Sequence, residues 1–204
     1  HRRSAWVRKI AHGSRAIWLG YSNLSYDMQD NGESRVLRIM SDFDMNVIFD
    51  VGANTGEWSR LAATLAPSAR IHAFEILPQT AAKFRDNLAG VGNVRLNVIG
   101  LSDRSGEDTL HAVEGQSYIA SCVPDFTEGF HKQSVSSITV QTTTTDAYCE
   151  EHGIETIDFL KVDVEGYEHK VLKGCEALLQ RGGIRVIQFE YGDSARQVEV
   201  PGKR

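Results

Sequence analysis

The sequence predicts an α/β protein built on a mostly parallel, doubly wound sheet. Short apolar runs alternate with helical patterns from Val47 to Leu101. A glycine loop, Asp50-Val51-Gly52-Ala53-Asn54-Thr55-Gly56, joins the first of those runs to a helix. Two further apolar runs, Ile157 to Val164 and Ile184 to Tyr191, flank another helical stretch. Strands that alternate with helices pair in parallel through right-handed crossovers.

Each element has its own warrant. Val47 to Val51 is a short continuous apolar run, the pattern of a strand buried on both faces. Glu57 to Ala66 is helical and is stopped by Pro67. Arg70 to Glu75 is the second strand. Pro78 to Leu88 is a helix with proline in its first turn and Gly90 beyond its end. Val94 to Leu101 is the third strand. Glu107 to Ala112 and Ser136 to Thr143 read as strands, the second alternating and of high β-propensity. Between them, Glu114 to Ser134 is a polar, glycine- and serine-rich loop of the length that lids and substrate loops have. Asp146 to His152 is a short helix, Ile157 to Val164 the fourth buried strand, and Tyr167 to Arg181 a helix ended by Gly182-Gly183. Ile184 to Tyr191 is the fifth strand. Residues 193–204 carry no apolar periodicity.

The organisation that follows is a helical extension over 1–45, one domain over 46–192 and an irregular tail over 193–204. With 41% hydrophobic and 24% charged residues, the chain has the composition of a soluble globular domain. A net charge of −5 argues against a nucleic-acid partner. The exception is local: Arg2, Arg3, Arg8, Lys9 and Arg15 interleave with Trp6, Ile10, Ile17, Trp18 and Leu19. That pattern reads first as a capping helix with a solvated face, and second as a basic amphipathic helix for peripheral membrane or partner contact. No apolar run reaches membrane-spanning length, so stable insertion is not expected. Cys122, Cys149 and Cys175 show no metal spacing and read as reduced thiols of a cytoplasmic protein.

The glycine loop is the first site of chemistry. A strand that opens through glycines into a helix N-terminus makes a pocket for a nucleotide-like ligand. The dinucleotide fingerprint needs Gly-x-Gly-x-x-Gly, but counting from Gly52 its second and third glycines are Asn54 and Glu57. No Gly-Lys-Ser/Thr follows either, so the phosphate-loop pattern fails. A ligand without pyrophosphate fits better, and S-adenosylmethionine is one: its methionine end lies over the loop, with Asp50, Gly52, Ala53, Asn54 and Gly56 as contacts. Glu75, about two dozen residues past the loop and flanked by Phe74 and Ile76, stands where a carboxylate accepts both ribose hydroxyls. Leu101 and Ser102 end the third strand, where adenine lies; Leu101 packs on the ring, and Ser102 or Asp103 bonds its amine. A plain turn from Ser102 to Gly106 explains those last residues almost as well.

The second site is Lys161-Val162-Asp163-Val164-Glu165-Gly166-Tyr167-Glu168. Strand alternation puts Lys161 and Asp163 on one face and gathers Asp163 and Glu165 at the carboxyl end of the strand, the ligand edge of an open α/β sheet. If the first and fourth strands are neighbours, Asp163 faces the glycine loop. A lysine in an apolar strand needs a partner, so a structural Lys161–carboxylate pair competes evenly with a catalytic role. Glu190 ends the fifth strand in the same way.

Asp-Val-Gly-Ala-Asn-Thr-Gly at 50–56 and Ile-Asp-Phe-Leu-Lys-Val-Asp-Val-Glu-Gly-Tyr-Glu at 157–168, in that order, resemble the FkbM family of class I S-adenosylmethionine-dependent methyltransferases. Ala73-Phe74-Glu75 with Pro78, Leu101-Ser102-Asp103 with Gly106, Asp146, Val171-Leu172-Lys173-Gly174 and Phe189-Glu190 extend the match from about Asn46 to Tyr191. The resemblance implies a Rossmann-like methyltransferase fold and methyl transfer to a hydroxyl of a sugar, glycolipid or polyketide-type product. Such folds close with an antiparallel strand pair, which 193–204 does not resemble, so the expected C-terminal edge is incomplete.

The acceptor hydroxyl must lose its proton as it attacks. Glu165 or Glu190 is the favoured base, with His131 in the loop as an outsider. Asp163 holds the methionine ammonium or shapes the site, and Lys161 orients a carboxylate or lowers the acceptor's pKa. Clustered carboxylates are able to hold Mg²⁺ or Ca²⁺, but no ligand set closes and none is assigned. The competing readings are a non-catalytic methyltransferase-like domain, a nicotinamide-dependent oxidoreductase and an RNA ribose methyltransferase.

Overall fold

The computed structural model describes residues 32–113, 120–121 and 135–189. The basic segment up to Leu19, most of the Glu114–Ser134 loop with Cys122 and His131, Glu190 and the 193–204 tail lie outside them. The chain divides into two compact units, His1–Asp44 and Met45–Arg204. In the first, helix α1 (Glu33–Met40) starts after a left-handed Gly32 and carries Glu33 in its first turn and Arg38 in its last, as the helix dipole favours.

The second unit holds a five-stranded sheet in the order β3-β2-β1-β8-β9, every pair parallel. Its strands are β1 (Val47–Val51), β2 (Arg70–Phe74), β3 (Val94–Asn97), β8 (Ile157–Val162) and β9 (Ile184–Phe189). This is the Rossmann-like order, with strand direction in the sequence reversing between β1 and β8. The expected adjacency of the first and fourth long strands holds, with Asp50 opposite Lys161.

Both faces are covered. On one, Phe49 and Val51 of β1 and Leu160 and Val162 of β8 pack with Tyr148, Val171 and Leu178. Those last three come from helices α4 (Thr145–His152), α5 (Glu168–Lys173) and α6 (Glu176–Gln180). On the other, Trp58 of α2 (Glu57–Leu65) lies 5.6 Å from Phe159, and Phe84 of α3 (Pro78–Asn87) packs with Ala53 and Ala73. Fully buried strands need apolar side chains on both faces, which is why β1 and β8 read as unbroken apolar runs.

A second sheet, ordered β4-β7-β5-β6, contains β4 (Gly100–Leu101), β5 (Gly106–Val113), β6 (Ala120–Ser121) and β7 (Val135–Thr143). The single strand expected over Val94–Leu101 is therefore two. After Asn97 the chain leaves the first sheet, and Gly100-Leu101 pairs instead with Thr142-Thr143. Gly100 permits the crossing: a Cβ there would stand 2.6 Å from Ile76 Cδ1. Ala120–Ser121, expected within a loop, pairs with β5.

The helix expected over Tyr167–Arg181 is likewise two. Gly174 presses on the backbone carbonyl of Ser102, closer than any side chain would allow. The second piece is restarted from afar: Asp146 accepts the N–H of Ala177 at 2.8 Å and of Leu178 at 3.0 Å. Those are donors that a helix N-terminus leaves unsatisfied.

Candidate active site

A cavity opens over the carboxyl ends of β1, β2 and β8, with the second sheet as its far wall. Of the expected cofactor contacts, Gly52, Asn54, Phe74, Glu75, Ile76, Leu101, Ser102 and Asp163 line it. Asp50, Ala53 and Gly56 do not; they lie behind the loop. The glycine requirement at the loop's two ends also comes from the protein rather than a ligand. Gly52 (φ 79°) faces the Asp163 carbonyl, and Gly56 (φ 89°) faces Leu88 and Phe84 of the α3 region. Asn54 holds a left-handed turn at φ 48°, which its short polar side chain tolerates.

Glu75 ties the loop to the second strand. Its Oε2 accepts the Asn54 N–H at 3.0 Å and its Oε1 the Leu77 N–H at 2.8 Å. Burial raises its pKa, while those two N–H groups pull the other way and the Asp50 charge adds to the rise. Each carboxylate oxygen keeps acceptor capacity for one further donor, as two ribose hydroxyls require. Leu101 and Ser102 are buried beside it. Asp103, offered as a partner for an exocyclic amine, instead pairs with Lys173 at 3.3 Å and is not part of the lining.

Lys161 is held below the floor of the site. Its Nζ lies 3.4 Å from Asp50 Oδ1 and 3.2 Å from Asp163 Oδ2, and Asp50 also accepts the Ser59 hydroxyl at 2.7 Å. Asp50 and Lys161 are buried, whereas Asp163 reaches the cavity. This geometry matches the structural-pair reading of Lys161.

The turn after β8 carries Glu165, which lines the cavity in a left-handed conformation at φ 52°. For a residue with a Cβ that conformation costs roughly 1–2 kcal/mol. Loss of hydration in the crowded wall pushes its carboxyl up to about 7, followed by the negative charges of Asp163 and Glu168. The residue as a whole is solvent-exposed, so water moderates the size of that rise but not its direction. A carboxylate poised between its ordinary range and neutrality suits proton abstraction at physiological pH.

The far wall went unread in the sequence. Asp108 and Leu110 of β5 line the cavity with Val140 and Thr142 of β7, and Tyr167 closes the side next to Glu165. The register pairs Asp108 with Val140 and Gly106 with Thr142, so these residues share one face. The period of two was the available signal: Asp108/Leu110 and Val140/Thr142 alternate within strands that the sequence predicts. Asp108 Oδ2 lies 3.9 Å from Lys170 Nζ, too far for a hydrogen bond, and Lys170 donates to the Tyr167 hydroxyl at 2.8 Å. Among the described residues, no three His, Cys, Asp or Glu side chains are grouped as metal ligands. No helix among them is long and apolar enough to cross a membrane.

A family model, the methyltransferase FkbM domain, matches residues 50–200. The chain belongs to that family. Among curated FkbM-like relatives, the 2-O-methyltransferase NoeI of Sinorhizobium fredii is 31% identical over 72% of this chain and 63% of its own length. The hexuronic acid methyltransferase AglP of Haloferax volcanii is 30% identical over 82% of this chain and 66% of its own. The chain thus spans just under two thirds of the relatives it matches. The crystal structure of an FkbM methyltransferase from Methylobacillus flagellatus is similar with a TM-score of 0.46 and 14% identity, over 88% of this chain and 49% of that one.

Proposed function

We propose that this FkbM-family chain binds S-adenosylmethionine and transfers its methyl group to a hydroxyl of a carbohydrate or a similarly hydroxylated small molecule. The observation that carries the reading is one cavity holding Glu75 at the glycine-loop end and Glu165 beside Tyr167. The printed activities of the two relatives, a 2-O-methyltransferase and a hexuronic acid methyltransferase, support a hydroxylated sugar as acceptor.

The catalytic domain in this reading is residues 46–192. Glu75 takes the ribose hydroxyls, Gly52 and Asn54 lie under the methionine end, and Leu101 and Ser102 border the adenine. Asp163, held by Lys161, takes the ammonium group. Asp50 acts indirectly, by fixing Lys161. The bound sulfonium supplies an electrophilic methyl group. Glu165 accepts the acceptor hydroxyl's proton as the oxygen attacks, and Asp108, Thr142 and Tyr167 orient that acceptor. Holding the two reactants in line supplies much of the rate.

Calorimetry with S-adenosylhomocysteine tests the cofactor half. Methyl transfer to a panel of methyl hexosides and methyl hexuronides tests the acceptor half. Glu165→Gln should bind S-adenosylhomocysteine as the parent does and lose turnover; undiminished turnover removes Glu165 as the base.

A further inference from the structure

We infer that Glu168 is a positioning residue, whose Oε1 holds Glu165 in its left-handed conformation by accepting two backbone N–H groups of the same turn. The donors are the N–H of Val164 and of Gly166, each at 3.1 Å, one on either side of Glu165. Glu168 is 8% exposed, so this carboxylate is committed to the turn rather than to solvent. The inference rests on the reading of Glu165 as the general base.

The turn is fixed at both ends. At its start the Asp163 N–H donates to the Val51 carbonyl at 3.0 Å, and the Asp163 carbonyl abuts Gly52. At its end Gly166 takes φ 97°, a conformation that glycine adopts freely. Between them Glu165, at φ 52°, has a Cβ that disfavours its conformation. A strained residue persists where its surroundings over-determine it, and here one buried oxygen bonds the peptide groups flanking it. Removing that oxygen leaves two N–H groups without their acceptor, and the strain then favours another conformation of the turn. A reacting group displaced by an ångström loses about 100-fold in rate.

Glu168 acts on Glu165 in a second way, because its negative charge raises the proton affinity of the Glu165 carboxyl. The other charged groups around that carboxyl are Asp163 with its partner Lys161, Lys170 on α5, and Glu75 and Asp108 across the cavity. Glutamine at 168 keeps an oxygen acceptor and removes the charge, whereas alanine removes both. The two substitutions therefore separate the geometric effect from the electrostatic one.

The experiment compares the parent with Glu168→Gln and Glu168→Ala. Readouts are kcat and KM for methyl glycoside acceptors, S-adenosylhomocysteine affinity, and the Glu165 titration followed by carboxyl carbon NMR. Glu168→Ala should lose about 100-fold in kcat with S-adenosylhomocysteine affinity within about threefold. Glu168→Gln should keep kcat within about threefold, while its Glu165 titrates at lower pH and the acidic limb of its kcat profile moves with it. Equal kcat in parent and alanine variant overturns the inference, as does a kcat loss matched by loss of cofactor affinity. If the alanine variant does not fold, Glu168→Gln decides alone: an unshifted Glu165 titration, or a kcat as low as that of Glu165→Gln, overturns it. Full turnover in Glu165→Gln defeats the base assignment instead, and a dead Glu165→Gln beside a fully active Glu168→Ala defeats only the clamp.

Discussion

Gly52 and Asp163 touch through their backbones: a Cβ on Gly52, at φ 79°, would lie on the Asp163 carbonyl oxygen. The contact joins the loop after β1 to the turn after β8, so the proposed cofactor cradle and the proposed base share one rigid seam. Gly52→Ala meets both a disfavoured φ and a backbone that is not a flexible side-chain end. It should cost about 2–4 kcal/mol in urea unfolding and abolish S-adenosylhomocysteine binding. A variant of parental stability would show that the seam yields easily.

Glu75 offers its two oxygens to Asn54 and Leu77 while facing the cavity. Hydrogen bonds to a charged acceptor contribute about 1.5–3 kcal/mol each. Glu75→Gln should therefore weaken S-adenosylhomocysteine binding by roughly 10- to 100-fold in calorimetry. Affinity for adenine alone should change far less, because the carboxylate is assigned to the ribose.

Lys161 neutralises Asp50 and Asp163 from below the site, and both Lys161 and Asp50 are buried. Removing one member of a buried pair leaves an uncompensated charge, at about 3–5 kcal/mol. Lys161→Met should lose about that much in chemical unfolding, and adding Asp50→Asn should restore part of it. A non-additive cycle is the signature; simple addition of the two costs would assign the effect to packing.

The sheet and the two principal motifs were legible because they rest on short-range rules. Continuous apolar runs marked β1 and β8, and Gly52 marked the turn between strand and helix. The breaks were not legible, because each depends on a partner remote in sequence. Gly100 leaves the first sheet against Ile76, Gly174 breaks a helix against Ser102, and Asp146 caps the helix that follows. The same holds in the site. Glu75, Asp163 and Glu165 were found as carboxylates at strand ends, whereas Asp108 and Thr142 become site residues only once the second sheet folds over the cavity. The reading of Lys161 turned on which carboxylates it met, and no spacing rule states that.

Asp108 bears on the acceptor rather than the cofactor in the proposed arrangement. Its long ion pair with Lys170 leaves Oδ2 outside hydrogen-bond range of that ammonium. Asp108→Asn should raise KM for methyl glycosides by about tenfold, the value of one hydrogen bond to a charged group. S-adenosylhomocysteine affinity should stay unchanged; a parallel loss would move Asp108 to the cofactor side.

Glu165 makes the sharpest demand on pH. Its folded pKa is raised from the model-compound value of 4.5 towards about 7 by lost hydration and by the charges of Asp163 and Glu168. A base must be unprotonated to act, so kcat should rise with pH along a limb of unit slope and level off once the carboxyl is ionised. The midpoint should fall between the two values, closer to 7 when an acceptor covers the exposed carboxyl and excludes water. The sign for stability is opposite to that of an ion-paired carboxylate. Between 4.5 and about 7 the folded state holds this proton more tightly than the unfolded chain, so ionisation of Glu165 lowers stability as pH rises. Glu165→Gln should accordingly gain stability over the parent at pH 8, and the gain should vanish below about pH 4.5, where both states are protonated. Urea unfolding of the pair at pH 4, 6 and 8 measures this alongside the rate profile. A variant less stable than the parent at pH 8 would show that the left-handed turn, and not the buried charge, dominates at this position.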